Sequence, residues 1–294
     1  MKSYDTTGDK AFLVFNYILM TILMIVMLYP FWDMLVLSFS PKSEIFSTGL
    51  RLFTLHPELT AYKKVFDSPE LWQSFYNSIV RVILGTVISV ILTSLTAYPL
   101  AKKYFPLNKL ITGLFIFTML FSGGLIPGYL LMKKLNMLNT IWVLVVPGAV
   151  SAYNLIIMRN FLRFIPDSME ESARIDGATE FKIWWKIILP LSKPVMATVA
   201  LWVAVEHWNA YFDALIYITD RTKYVLPILL RRILLENQLK MFINGNFAEQ
   251  SVKKPTEETV KAAVIMVSTL PIVMVYPFLQ KYFMKGIMLG AVKG

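Results

Sequence analysis

The 294-residue chain has no cysteine and only two histidines, His56 and His207. The absence of cysteine excludes disulfides, thiol chemistry and metal sites built on thiolates. Two isolated histidines do not supply the set of ligands that a zinc site needs. The sequence therefore predicts neither a metal centre nor a redox-active thiol.

Motifs for nucleotide and hydrolytic chemistry are absent as well. The sequence contains no Gly-x4-Gly-Lys-Ser/Thr phosphate loop, no His-Glu-x-x-His and no Gly-x-Ser-x-Gly. We therefore expect that the chain is not an enzyme, binds no cofactor of its own and cannot hydrolyse ATP. Its net charge is +10, yet no basic face with interleaved aromatic residues predicts binding to nucleic acid.

Charge is scarce overall, and apolar residues take its place. Only 16% of the residues are charged, against about a quarter in an average soluble protein. The hydrophobic residues, 56% of the chain, gather in runs that can cross a bilayer, which takes ~20 apolar residues in a helix. We predict an all-α integral membrane protein, a single domain over residues 1–294. Its six predicted spans are 12–35, 78–101, 110–131, 141–161, 195–216 and 260–283.

Several predicted spans contain helix-breaking residues, among them Gly123-Gly124 and Pro147-Gly148. Proline removes a backbone donor and kinks a helix. Inside a membrane such breaks persist only where other helices or a water-filled path satisfy the freed backbone groups. The breaks therefore favour a transport bundle over a lone membrane anchor.

The short loop with Lys102, Lys103 and Lys109 sets the predicted orientation. Lysines in short loops mark the cytoplasmic side of a membrane protein. This rule places both termini and a loop at about 162–193 in the cytoplasm. Loops at about 39–74 and 219–259 then lie on the outer side.

The 162–193 loop predicts two helices separated by a glycine. Ser168 and Glu171 fit a capping box that starts the first helix, and Gly177 fits the left-handed stop that ends it. The first helix is polar and only about two turns long, so it needs a partner surface to be stable. The second helix is expected at about 179–189. Its apolar stripe comprises Phe181, Trp184, Trp185 and Ile188.

The spacing in this loop resembles that of binding-protein-dependent ABC importers, which reads Glu-Ala-Ala, three residues, Gly, nine residues, Ile-x-Leu-Pro. Ser172 stands where the family usually has alanine. The residues in register are Glu171, Ala173, Gly177, Ile187, Leu189 and Pro190. The resemblance covers nearly the whole chain, which is similar to the smaller of the two membrane subunits of maltose importers. The ending from Tyr276 to Gly294 looks most like the branch that imports large oligosaccharides, such as those from pectin.

The resemblance implies a six-span type I importer permease fold, with a cytoplasmic coupling helix that docks on a separate ATPase. The implied docking residues are Glu170, Glu171, Ser172, Ala173, Arg174, Asp176, Gly177 and Ala178. The implied location is the bacterial cytoplasmic membrane. The implied partners are a homologous second membrane subunit, two ATPase subunits that use ATP and Mg, an extracytoplasmic solute-binding protein carrying a carbohydrate, and membrane lipid. The alternative is a secondary transporter or channel without an ATPase, which would leave the docking loop unexplained.

The fifth predicted span carries Glu206, Asn209 and Asp213, whose spacings place them on one helical face. An ionisable group inside a bilayer is costly and indicates a functional site. We therefore predict that this face lines a path for a hydroxyl-rich solute, with Asn77 and Asn154 as further candidates. The alternative for Glu206 is a structural hydrogen bond to a neighbouring helix, and for Asp213 a position at the water interface.

Overall fold

A computed structural model describes residues 7–45, 50–243 and 256–291, with side chains for 7–45, 50–233, 235 and 256–275. In this part of the chain every regular element is helical, which confirms the predicted class. Parts of both predicted outer loops and the end of the predicted carboxyl-terminal pattern lie outside the described residues. These parts are residues 46–49, 244–255 and 292–294.

Fourteen α-helices follow one another along the described chain, with a π-helical turn at Trp184–Ile188 between the ninth and the tenth. They are α1 (Thr7–Phe39), α2 (Thr60–Phe66), α3 (Pro69–Ala101), α4 (Asn108–Leu120), α5 (Leu125–Lys134), α6 (Trp142–Val145), α7 (Ala152–Leu162), α8 (Ser168–Ile175), α9 (Glu180–Ile183), α10 (Leu189–Leu191), α11 (Lys193–Asn209), α12 (Phe212–Tyr217), α13 (Leu226–Ile243) and α14 (Glu257–Ala291). Contacts between their residues group them into two compact units.

The first unit comprises Met1–Pro69 and Arg232–Leu270. Its longest helix, α1, presents apolar side chains outward along most of its length, and none of its most apolar window is buried. Such exposure suits a lipid environment, because a helix hydrophobic on all sides is stable only in a membrane or a large core. The end of α1 is packed, since Leu37 forms a small cluster with Ile45 and Ala262.

The second unit comprises Glu70–Arg231 and Pro271–Gly294. Its main core joins the carboxyl-terminal end of α3 to α7, α9 and α11 through Leu100, Met158, Ile183 and Val199, each at most 1% exposed. A second cluster joins α6 to α12 and to the segment that enters α13. Its buried members are Val143, Leu144, Ala214, Ile218, Val225 and Ile228.

Helix length and composition give three uninterrupted helices that could cross a membrane within the described residues: α1, α3 and the Glu257–Val275 part of α14. Two further candidates are bent pairs. One is α4 with α5, at 115°, and the other is Glu180–Leu191 with α11, at 81°. The first bend follows Gly123, at Gly124, whose φ of 86° is a conformation that glycine adopts without strain.

The fourth predicted span, 141–161, is not one helix. The four-residue α6 ends at Val145 and α7 begins at Ala152, with Pro147 and Gly148 between them. Gly148 has a φ of 77°, which an α-helix does not allow, and proline gives no backbone donor. The sequence predicts one span here, whereas this region of the structure is a broken segment.

Candidate functional site: the short helix α8 and a polar cavity

Helix α8 lies in the loop predicted to be cytoplasmic, and it starts without the expected capping box. Asp167, at the N-cap position, has helical φ and ψ angles, and its side chain caps nothing. Ser168 lies one residue inside the helix, and its carbonyl accepts a hydrogen bond of 2.9 Å from the Ser172 hydroxyl. The prediction was wrong because the chain turns helical one residue earlier than a Ser168 cap requires.

The other end of α8 is as predicted. Gly177 has a φ of 78°, the left-handed conformation that favours glycine. Its N–H donates to the carbonyl of Arg174 at 3.0 Å, and the N–H of Ala178 donates to Ala173 at 2.9 Å. This pair of hydrogen bonds is a Schellman motif, which satisfies carbonyls at the helix end. The stop fixes the direction in which the chain leaves α8.

One face of α8 is held inside the protein by Glu170, whose side chain is 2% exposed. Its carboxylate forms a buried ion pair with Lys102, which directly follows α3. The Tyr98 hydroxyl donates to the same carboxylate at 3.3 Å, and Arg174 approaches it at 3.4 Å. Glu170, predicted to contact the ATPase, is therefore turned inward in this chain and fastens α8 to the end of α3.

A second carboxylate extends this network to the following helix. Glu180 accepts hydrogen bonds of 2.8 Å from both the Tyr98 hydroxyl and the Arg174 guanidinium. Arg174 also donates to the Tyr104 hydroxyl at 2.7 Å. The hydrogen bond to Glu180 raises the pKa of Arg174, which stays charged. Four segments of the chain are thus joined: the end of α3, the loop after it, α8 and α9.

The opposite face of α8 is open. Ile175 is 86% exposed, and Phe164, just before the helix, is 78% exposed. Glu171 and Ser172 are exposed on the same side as Ile175, since residues three and four apart share a helical face. Asp176 and Gly177 are exposed too, whereas Ala173, Arg174 and Ala178 are half-buried. This face of α8 is therefore open to contact by a partner.

The sequence interpretation missed Ile175 as a member of this exposed face, and it missed Phe164 as an exposed apolar residue of the same loop. The signal was present, because Ile175 is an isolated branched apolar residue in a helix that is otherwise charged or small. The exposed face of α8 formed by Glu171, Ser172 and Ile175 is called the α8 surface below.

In the helix after α8, only half of the predicted apolar stripe is buried. Trp184 and Ile188 are 3% and 2% exposed and pack in the core, but Phe181 and Trp185 are 64% and 57% exposed. The π-helical turn at Trp184–Ile188 inserts a residue and shifts the register of the helical face for the residues within and after it, among them Trp185.

A polar cavity of about 430 Å³ opens where α11 breaks before α12. Four of the five predicted path residues line it: Asn154, Glu206, Asn209 and Asp213. Its other lining residues are Arg81, Ser89, Leu144, Pro147, Gly148, Ser151, Val203, His207, Ala210, Tyr211 and Phe212. The break in the fourth predicted span therefore forms part of the cavity wall, as expected for irregular backbone in a membrane protein.

Asn77 is not among the lining residues. Its side-chain amide donates hydrogen bonds of 2.9 Å to the carbonyls of Thr222 and Tyr224. It thus fastens α3 to the segment that leads into α13. The prediction that Asn77 lines the path is corrected to a structural role, which sequence spacing could not show because the two segments are far apart in the chain.

Asp213 lines the cavity but is already paired. It forms an ion pair with Arg81 of α3, whose side chain is 2% exposed. Arg81 also donates to the carbonyl of Ala210 at 3.0 Å and to His207 Nδ1 at 3.4 Å. Arg81 was missed, although an arginine inside the predicted span 78–101 meets the same criterion that selected Glu206.

Glu206 and Asn209 remain directed to open space. Both are exposed, and the Asn209 amide donates to the Val205 carbonyl of its own helix at 2.9 Å. Among the residues that the structure describes, the Glu206 carboxylate makes no hydrogen bond and no ion pair. Within the described chain, therefore, Glu206 does not make the structural hydrogen bond to a neighbouring helix that was the alternative.

Broken apolar helices around a polar cavity, with the short helix α8 fastened to the end of α3, define a membrane component of a transport system. The chain belongs to the family described as "Binding-protein-dependent transport system inner membrane component", whose model matches residues 2–289. It is thus a multi-pass protein of the cytoplasmic membrane. This result confirms the resemblance inferred from the Glu171–Pro190 spacing.

Relatives align along nearly the full length. Protein LplC of Bacillus subtilis (strain 168) is 42% identical over 99% of this chain and 98% of its own. The polygalacturonan/rhamnogalacturonan transport system permease protein YtcP of the same organism is 40% identical, over 96% and 97%. A chain in the crystal structure of a bacterial ABC transporter involved in the import of the acidic polysaccharide alginate has a TM-score of 0.87 at 30% identity. That match covers 96% of this chain and 100% of the other.

Proposed function

We propose that this chain is the membrane-spanning subunit of an ATP-driven importer for an oligosaccharide. In this proposal α8 docks on a separate ATPase, and the polar cavity forms part of the translocation path. The observation that carries the proposal is the two-sided character of α8. Glu170 fixes one face to the membrane helices, while Ile175 is left 86% exposed on the other.

Transmission of force requires a lever that does not move independently of the membrane helices. The contacts of Glu170 with Lys102 and of Glu180 with Tyr98 give α8 two attachments to the end of α3. Side chains in the main core hold α9 against α3 and α11. A displacement of the α8 surface by a partner is therefore transmitted to α3 and α11, which line the cavity.

The chemistry of the cavity suits a saccharide. A sugar loses water on entry, so its hydroxyls need donors and acceptors in exchange, and an unpaired polar group costs about 1–3 kcal/mol. Asn154, Glu206 and Asn209 offer both kinds of group. Tyr211 and Phe212 present half-exposed rings, whose apolar faces suit the apolar face of a sugar ring. The names of YtcP and of the alginate transporter support a carbohydrate as cargo.

The proposed assembly contains a homologous second membrane subunit, two ATPase subunits and an extracytoplasmic solute-binding protein. ATP and Mg belong to the ATPase subunits, and this chain binds neither. Both termini are proposed to be cytoplasmic, on the same side as α8. The open side of the cavity supports a second membrane subunit, because Tyr211 and Phe212 are 41% and 54% exposed in this chain alone.

The test uses the importer purified from its own host and reconstituted in lipid. Ile175→Ala is expected to weaken ATPase association at least fivefold, since truncation of a hot-spot residue at the centre of an interface costs more than about 1 kcal/mol. Ile126→Ala, an exposed isoleucine on α5, is the matched control and should leave association unchanged. Full transport by this polypeptide without an ATPase would instead establish the secondary transporter or channel.

A further inference from the structure

The charges that line the cavity do not cancel. The charged or titratable residues in its wall are Arg81, Glu206, His207 and Asp213, together with the phenol of Tyr211. Arg81 is 2% exposed and is engaged by Asp213, by the Ala210 carbonyl and by His207. The Arg81–Asp213 pair is neutral as a unit, so Glu206 contributes the remaining charge of the wall.

Arg231 lies beside one wall of the cavity. Arg231 sits over the Tyr211 ring, with its guanidinium carbon 5.0 Å from the ring centroid, but it does not line the cavity. Its charge is directed at the face of an aromatic ring, a contact that itself stabilises the guanidinium. Glu206 is the charge that a solute in the cavity meets directly, because its carboxylate is exposed there.

We infer that Glu206 makes this subunit's wall of the path selective against carboxylate-bearing saccharides, and that its substrate class is neutral or ammonium-bearing oligosaccharides. The inference deepens the proposed function and rests on it. A hydroxyl or ammonium group can donate to the Glu206 carboxylate, whereas a uronate brings a second negative charge. Inside a cavity with low-dielectric walls that repulsion is stronger than in bulk water. On this inference, the acidic saccharides named for some of the relatives are not the substrates of this chain.

The absence of cysteine gives a direct test of the cavity's charge. Asn209→Cys, alone or with Glu206→Gln, is labelled in the assembled importer with two methanethiosulfonates. One reagent carries a trimethylammonium group and the other a sulfonate. The labelling rate of the cationic reagent is divided by that of the anionic reagent, and this ratio is divided by the same ratio for a free thiol in solution. The result reports the electrostatic potential at position 209. A shift in the pKa of the new thiol cancels, because it changes both rates alike.

With Glu206 present, the cationic reagent is expected to be favoured about tenfold, and Glu206→Gln should remove most of that preference. The control is Glu70→Gln, which removes an exposed carboxylate from the first turn of α3, outside the cavity lining. An unchanged ratio in Glu206→Gln, or no reaction of the Asn209→Cys variant with either reagent, overturns the inference. This measurement needs no carbohydrate, so it remains decisive if the proposed sugar import fails.

Uptake then tests the substrate class with two probes of equal length and linkage. These are trigalacturonate and the trigalactoside obtained by reducing its carboxyl groups. The wild-type importer should prefer the neutral probe, and Glu206→Gln should raise the relative uptake of trigalacturonate about tenfold. A wild-type preference for trigalacturonate that Glu206→Gln leaves unchanged would overturn the inference. Failure to take up any saccharide would count against the proposed function instead.

Discussion

Lys102 and Glu170 form a buried ion pair that joins the residue after α3 to the inward face of α8. Their side chains are 7% and 2% exposed, so water does not screen the pair. The two residues are separated by 68 positions in the sequence. The attachment of α8 to the membrane helices thus depends on a contact between two charged residues. The sequence around Lys102 does not predict it, and neither does the sequence around Glu170.

Glu170→Gln is expected to loosen α8, because the buried Lys102 ammonium keeps only weaker partners: the exposed Asp167 at 3.8 Å and the ring of Tyr98, whose centroid is 5.3 Å away. Loss of one partner from a buried ion pair typically costs about 3–5 kcal/mol. Limited proteolysis of the 162–193 loop in the purified importer measures the effect. Glu171→Gln, on the exposed face, should leave proteolysis unchanged. Equal resistance of Glu170→Gln and wild type would contradict the role assigned to the ion pair.

The Gly177 stop gives a second prediction. A Cβ at this position meets no atom within 4 Å, so Gly177→Leu introduces conformational strain rather than a clash. An L-residue in the left-handed region costs about 1–2 kcal/mol, whereas asparagine is tolerated there. Gly177→Leu should lower uptake and substrate-stimulated ATP hydrolysis while membrane insertion persists. Gly177→Asn should retain most of both activities, and equal loss in the two variants would refute the strain argument.

Asp213→Asn is expected to destabilise the importer more than Glu206→Gln does, although each variant removes one negative charge from the same cavity. Arg81 is buried and loses its counter-charge in the first variant, at a cost of about 3–5 kcal/mol. Glu206 has no partner in the described chain, and surface changes of that kind stay within about 0.5 kcal/mol. Thermal unfolding of the two purified variants measures the difference. Equal melting temperatures would show that the ion pair contributes nothing.

The sequence predicts features that depend on local backbone rules. Gly177 was identified as a helix stop because its left-handed conformation is specific to glycine, and Gly123-Gly124 marks a real bend. Features that join distant segments were missed or misplaced. Glu170 was predicted to face a partner, since helix spacing alone does not show which face Lys102 covers. Arg81 was detectable from its place in an apolar run, but its partner Asp213 was not.

Gly85 provides a test of how closely α3 packs against α11. A Cβ at position 85 would lie 2.3 Å from Nε2 of the His207 ring, far inside van der Waals contact. The ring is rigid, so Gly85→Ala should displace it and weaken the 3.4 Å contact between His207 and Arg81. Overpacking of this kind costs about 1–3 kcal/mol, which outweighs the gain of up to about 1 kcal/mol from alanine in a helix.

The matched control is Gly113→Ala on α4, where a Cβ meets no atom within 4 Å. Gly113→Ala should leave the melting temperature of the purified importer unchanged or slightly raised, while Gly85→Ala lowers it. The double variant Gly85→Ala/His207→Ala removes the obstructing ring and should recover stability relative to Gly85→Ala alone. If Gly85→Ala is as stable as Gly113→Ala, α3 and α11 are not packed this closely in the membrane, and the Arg81 cluster must be held by Asp213 and Ala210 alone.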